Sequence, residues 1–202
     1  IVGPGALARA DGAAVLAAAA GVAKAFGASW NVLHTAASRV GGLDMGFVPQ
    51  AGGKTARELV AKGGADVLFL LGADEIKVPD GTFVIYIGTH GDAGAHRADV
   101  ILPGAAYTEK SATYVNIEGR AQLTDRAAFA PGEAKEDWAI VRALSAHTGH
   151  TLPYDRLPAL RAAMYKEAPA LARLDVAVPA DIKGVEALAA RSGALGSEPF
   201  GL

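Results

Sequence analysis

The chain has 202 residues, 51% of them hydrophobic and 20% charged, with a formal net charge of −2; this is a globular balance, long enough for one good-sized domain and unlike a disordered chain. That charge, with no basic stripe along any predicted helix, removes the electrostatic case for nucleic acid, and no apolar run approaches the roughly 20 residues of a membrane helix, so no direct membrane insertion is expected. The absence of cysteine excludes disulfides, thiolate catalysis and protein-ligated iron–sulfur clusters from these residues. Alanine and glycine supply much of the apolar total, as suits helices packed closely on a sheet. The sequence opens at Ile1 inside a predicted strand, Ile1-Val2, which suggests a piece of a longer protein.

Gly3-Pro4-Gly5 turns that strand towards a helix from Gly12 to about Phe26, with Asp11 as its N-cap. Trp30 to Leu33 reads as the next strand, and Ala36 to Val40 as a brief helix ended by Gly41-Gly42. Thr55 and Glu58 have capping-box spacing ahead of a helix over Ala56 to Lys62, which Gly63-Gly64 terminates. Val67 to Leu71 and Phe83 to Ile87 are continuous apolar runs, the pattern of strands buried on both faces at the centre of a parallel sheet. Val100-Ile101-Leu102 is a third run, stopped by Pro103. Strands alternating with helices predict an α/β fold with a doubly wound, mostly parallel sheet flanked by helices. Beyond Pro131-Gly132, acidic Glu133, Glu136 and Asp137 suit a helix N-terminus, and Trp138, Val141 and Leu144 mark its buried stripe. Another helix follows Asp155, with Leu157, Leu160 and Met164 on one side and Pro169 closing it. From about Val178 the sequence is Gly-, Ala- and Ser-rich and reads as an extension lying on a partner or frayed.

Four places carry polar groups that chemistry could use. Gly3-x-Gly5 could cradle a phosphate at a helix N-terminus, but the third glycine of a dinucleotide fingerprint is replaced by Ala8, so a tight turn is the simpler reading. Asp74 and Glu75, beside Gly72, follow a central strand, where open α/β sheets bind ligands; two adjacent carboxylates there repel a pyrophosphate and read as solvated loop acids. The Gly88 loop holds His90, Asp92 and His96, which have the chemistry of metal ligands or of an acid–base set, although its glycines equally suit a short crossover. His147 and His150 flank a helix C-terminus, where capping is the default role. No residue is assigned a catalytic, cofactor-binding or metal-binding role.

The run from Ala98 to Gln122, ADVILPGAAYTEKSATYVNIEGRAQ, resembles a signature segment of the molybdopterin oxidoreductase superfamily. Pro131-Gly132-Glu133-Ala134, Asp137-Trp138 and Arg142-Ala143-Leu144 fit the same layout. Within that superfamily the chain is most similar to the large iron–sulfur subunits of respiratory NADH–quinone oxidoreductase (complex I). The matching pieces are Asp11-Gly12-Ala13-Ala14, Asn31-Val32-Leu33-His34, Leu43-Asp44-Met45-Gly46, Val67 to Asp74, His90-Gly91-Asp92 and Thr151 to Asp155.

The resemblance implies a molybdopterin-oxidoreductase-like domain over residues 1–175, the C-terminal part of a larger subunit, followed by a C-terminal helical extension over 176–202. It implies a scaffold supporting electron transfer from NADH to quinone without a redox cofactor of its own, the 2Fe-2S and 4Fe-4S clusters lying in N-terminal domains. Expected partners are those N-terminal domains and other peripheral-arm subunits. The expected location is the cytoplasmic face of the bacterial inner membrane, or the matrix side in a eukaryote. The alternative is a fragment of a catalytic molybdenum enzyme such as formate dehydrogenase, with a pterin guanine dinucleotide held by the Gly72 and Gly88 loops. Asp74-Glu75, where catalytic relatives show a neutral loop, and Ala112, where many show glycine, speak against that alternative. Under the scaffold reading, replacing His90 or Asp92 by alanine is expected to disturb folding or assembly and not chemistry.

Overall fold

The computed structural model describes residues 1–36 and 39–177. The chain forms two compact units: Ile1–Met45, Tyr114–Gln122 and Ala168–Leu202 make one, and Gly46–Thr113 with Leu123–Glu167 the other.

In the first unit, the predicted strands at Ile1-Val2 and Trp30 to Leu33 shrink to a single parallel bridge between Val2 and Val32. Pro4 opens a one-turn helix, α1 (Pro4–Leu7), where its missing N–H is no loss. Helix α2 (Gly12–Ala25) has Asp11 at its N-cap as expected, but the carboxylate caps nothing. It accepts from Arg9 Nε at 2.7 Å and Arg9 Nη2 at 3.1 Å, so the guanidinium has displaced the backbone as its partner. Gly12 is dictated by close approach, since a Cβ there would lie 2.3 Å from the Leu7 carbonyl oxygen. Alanines 14, 20 and 23 are the buried side chains of α2, so small residues set its packing face. Helix α3 (Arg39–Asp44) corrects an expectation, because Gly41 and Gly42 lie inside it and do not end it. The reason is packing: a Cβ on Gly41 would meet Val115 Cγ2 at 3.2 Å.

The second unit begins with α4 (Ala56–Leu59), where the predicted capping box is present in both directions. The helix is shorter than predicted, ending at Leu59 with Val60 as its C-cap, and Gly63 turns the chain beyond it at a φ of +74°. Strands β1 (Val67–Leu71) and β2 (Phe83–Gly88) follow, then α5 (Ala93–Arg97) and β3 (Val100–Pro103). The three strands are parallel in the order β1-β2-β3, with Val67 against Phe83 and Ile85 against Val100. This is the expected α/β architecture, a parallel sheet with flanking helices. One face carries the core: Leu68 and Leu70 of β1, Val84 and Tyr86 of β2, and Val78 from the connection. Ala95, Ala98, Leu59 and Val60 pack against that cluster. Arg97 holds the β1–β2 connection in place of a helix, its guanidinium donating to the carbonyls of Val78, Pro79 and Thr82.

Burial on both faces, expected from the continuous apolar runs, is not found. β1 alternates between exposed and buried side chains, with Val67, Phe69 and Leu71 all exposed. The run stays apolar throughout, yet the described residues supply a packed cover mainly on the Leu70 side.

Strands β4 (Ala112–Val115) and β5 (Ala121–Thr124) form a two-stranded sheet that was not predicted. Only a hairpin fits so short a connection, because a parallel pair requires a crossover of about a dozen residues. Its turn is built by Asn116, whose Oδ1 accepts from Glu118 N at 2.9 Å and Arg120 N at 3.0 Å, with Gly119 at a φ of +73°. Helices α6 (Asp137–His147) and α7 (Leu157–Glu167) lie near their predicted positions. On α6 the expected stripe is only half-buried, with Val141 exposed; the buried residue is Ser145, which donates to Arg142 O and accepts from Leu152 N. Leu157, Leu160 and Met164 of α7 are half-buried on one side. Pro169 opens a 3-10 turn, Pro169–Ala172, after the helix. The predicted extension lies, from residue 178 on, outside the described residues.

Leu70, 3% exposed, lies on the core face of β1. Leu70→Asp would bury an unpaired carboxylate at a penalty of several kcal/mol, a large part of a domain's stability. The variant should show no cooperative thermal transition by circular dichroism; a melt matching the parent would contradict this packing.

Candidate ligand loops at the carboxyl ends of the strands

In a parallel sheet the loops beyond the strand carboxyl ends are the ordinary place for a ligand. Of the three such loops here, those after β1 and β2 carry the candidate side chains. After β1, Gly72 turns the chain at a φ of +60° and its N–H donates to Ile87 O at 2.8 Å. Asp74, half-buried, and Glu75, exposed, follow it.

The loop after β2 is organised around Tyr86, which is 2% exposed. Its hydroxyl donates to Asp92 Oδ2 at 2.7 Å. Asp92 Oδ1 accepts from Gly94 N at 3.2 Å and Ala95 N at 3.3 Å, which makes Asp92 the N-cap of α5. The glycines belong to the same device. A Cβ on Gly88 would lie 2.1 Å from the Tyr86 hydroxyl, and one on Gly94 would lie 2.6 Å from its ring. Both positions are empty of side chain because the tyrosine fills them.

Burial first, then the hydrogen bond and charge of Asp92, and last the charge of Asp74, push the Tyr86 hydroxyl up to about 12. The Tyr86 hydroxyl in turn holds the Asp92 carboxyl below its ordinary range, helped by the Ala95 and Gly94 amides and opposed by desolvation. At neutral pH the pair is a phenol and a carboxylate, both committed to structure, with neither poised to exchange a proton.

The other sequence candidates do not join it. His90 is exposed, its Nδ1 2.7 Å from Thr89 Oγ1. His96 lies in the last turn of α5 and lines, with Asp80, Thr82, Arg97 and Asp99, a cavity of about 450 Å³ at the amino ends of β2 and β3. The set His90, Asp92 and His96 is therefore not brought together, because α5 carries His96 away from its own N-cap. Among the described residues no group of three His, Asp or Glu side chains could hold a metal ion. The phosphate-cradle geometry considered at Gly3-x-Gly5 leads into only a four-residue helix, closed by Ala8 N donating to Pro4 O. His147 lies in the last turn of α6, where its imidazole faces the helix dipole as expected, and the side-chain hydrogen bond at that end is made by Thr148, whose Oγ1 donates to Ser145 O at 3.1 Å.

The longest signature segment turns out to tie chain segments together. Gly104 N donates to Gly88 O and Ala105 N to Lys135 O, joining the end of β3 to the approach of α6. Lys110 pairs with Asp137 at 2.5 Å, and a Cβ on Gly104 would lie 2.8 Å from Asp137 Oδ1. Glu109 closes its own turn by accepting from Ala106 N at 2.9 Å. Sequence reasoning missed Tyr86; the glycines at 88 and 94, on either side of an aspartate, were the available signal for a side chain seated on the loop.

Fold and loops together define an α/β protein with a parallel sheet, in which the Tyr86 ring fills the space at Gly88 and Gly94 beyond the second strand. The chain belongs to the molybdopterin oxidoreductase family, which it matches over residues 1–147. It is 51% identical over 152 residues to the NADH-ubiquinone oxidoreductase 78 kDa subunit, mitochondrial, of Candida albicans, covering 74% of this chain and 20% of that protein. The Neurospora crassa protein of the same name is 46% identical over 158 residues, covering 76% and 20%. The NADH-ubiquinone oxidoreductase 75 kDa subunit of Reclinomonas americana is 47% identical over 152 residues, covering 72% and 21%. The chain thus spans about a fifth of the length of these relatives. The family name implies a molybdopterin, and the loop after β2 does not fit one. Tyr86 fills the glycine positions that would admit a pterin or its phosphates, and the charges nearest it, Asp92 and Asp74, are negative.

Asp92→Ala should lower the melting temperature by removing the α5 cap and the Tyr86 partner, while His90→Ala should leave it unchanged; thermal denaturation separates the two. A raised folded-state tyrosine pKa stabilises below the unfolded value of about 10 and stops doing so as pH rises through the folded one. Between pH 10 and about 12 the parent should therefore lose stability that Tyr86→Phe does not lose, as read from melts across that range. Equal slopes for the two proteins would refute the buried-phenol assignment.

Proposed function

We propose that the chain is a scaffold and interaction module of the large iron–sulfur subunit of an NADH–ubiquinone oxidoreductase. In this reading residues 1–175 work as one molybdopterin-oxidoreductase-like module and 176–202 as its extension. The module supports electron transfer from NADH to quinone by holding cluster-bearing parts of the same subunit and neighbouring peripheral-arm subunits. The 2Fe-2S and 4Fe-4S clusters lie elsewhere in that subunit, and no residue here is catalytic. Among the described residues no helix is long and apolar enough to cross a membrane, which accords with a place in the peripheral arm, on the cytoplasmic face of a bacterial membrane or the matrix face of a mitochondrial one.

The observation that carries this reading is Tyr86 seated at Gly88 and Gly94. The backbone at these two glycines, which would have to face an anionic dinucleotide, is covered by the ring instead. The relatives then supply the assembly in which such a module would serve.

The test is elemental analysis of the full-length subunit purified from its native membrane complex. Iron without molybdenum or pterin is the expected result. Stoichiometric molybdenum with a pterin guanine dinucleotide would replace the scaffold by the catalytic alternative. In the same preparation Lys110→Ala should reduce recovery of the assembled complex while NADH–quinone turnover per assembled complex stays constant, as expected for a tie between segments.

A further inference from the structure

One side of the three-stranded sheet exposes apolar side chains along β1 and at the start of β2, while Ile87, at the β2 end of the same side, is buried. The register sets Phe69 beside Ile85, and Ile85 beside Val100, on the face opposite Leu70 and Tyr86. On this face Val67 is 52% exposed, Phe69 45%, Leu71 55% and Phe83 46%. Strands of this composition belong between two layers of helix. Neither crossover supplies the second layer. The β1–β2 connection holds no helix, and α5 lies against the core by way of Ala95. At the β3 end the same face continues through Leu102 into an apolar groove of about 510 Å³ lined by Ile140, Ala143, Leu144 and His147 of α6. Those four positions are spaced i, i+3, i+4 and i+7, so α6 turns one continuous stripe towards the opening.

The size of the surface selects its occupant. The bare side chains leave on the order of 400 Å² exposed, so two copies face to face would bury on the order of 800 Å², short of the roughly 1,200 Å² of a stable dimer. One helix laid alongside α6 fits that footprint. The relatives have four-fifths of their length outside the matched region, enough to provide it.

We propose that this face receives a single amphipathic α-helix, with an aliphatic i, i+3, i+4, i+7 stripe, contributed by the remainder of the full-length subunit and running beside α6. The inference rests on the reading that the chain works inside such a subunit. It assigns Phe69 and Leu71 to an intramolecular interface.

The test places photo-reactive benzoylphenylalanine at position 69, and separately at 71, in the full-length subunit within its complex. An unchanged melting temperature of the 202-residue chain carrying the same replacement controls for folding. After irradiation, mass spectrometry should find a cross-link to an apolar helical segment of the same polypeptide outside these residues. A cross-link to another subunit, to a second copy or back into the 202 residues overturns the proposal, and so does the absence of any cross-link from both positions. The two readings fail separately. An intramolecular cross-link in a subunit that co-purifies with no other peripheral-arm subunit keeps the docked helix and removes the scaffold function. A fully assembled complex with Phe69 cross-linked to a neighbouring subunit does the reverse.

Discussion

The hydrogen bond from the hydroxyl of the buried Tyr86 to the partly exposed Asp92 constrains most of what surrounds it. A buried phenol without a partner would be penalised by its lost hydration, so the aspartate has to stay where it is. The same carboxylate caps α5, which fixes the start of the crossover to β3. The ring also requires glycine at 88 and 94. One aromatic side chain thus determines the cap, the loop composition and the entry to the next strand. These demands overlap in a few residues, so a change at Tyr86 is felt at once by Asp92, Gly88 and Gly94.

The family signature has a comparable logic. Residues that stand out in the sequence for their polarity, Glu109, Lys110, Asn116 and Asp137, are spent on a turn, an ion pair and a hairpin. The Lys110–Asp137 pair is partly exposed and contributes modestly to stability on that account. Its position matters more, since it joins the segment after β3 to the first residue of α6. A polar signature of this kind can be retained for connectivity, whatever chemistry other family members perform.

Much of this was legible in the sequence, for identifiable reasons. β1 and β2 were located to within a residue because a continuous apolar run flanked by Gly and Asp has few other uses. The Thr55–Glu58 box was legible because both partners are local. Gly41 misled, because a glycine that ends a helix and one that admits Val115 look the same along the chain. Asp11 misled in a related way: its rank as an N-cap residue said nothing of Arg9, two positions earlier, competing for it. The β4–β5 hairpin was hidden by its short strands and by a turn made from an Asn side chain and not from an Asn-Gly pair. Two-sided burial was a sound inference from composition, but composition records what a strand can be covered by and not which chain covers it.

The register of the parallel sheet has a consequence for how the chain reaches its fold. Val67 pairs with Phe83 and Ile85 with Val100, separations of 16 and 15 residues, each short for a parallel pair. With Arg97 stapling the first connection and the five residues of α5 shortening the second, little loop has to be closed before the strands meet. Parallel sheets are ordinarily slow to assemble because their partners are remote. Here all three strands come from one stretch, residues 67–103, so the sheet can form as a local event while the segments of the other unit, drawn from distant parts of the chain, are still being gathered.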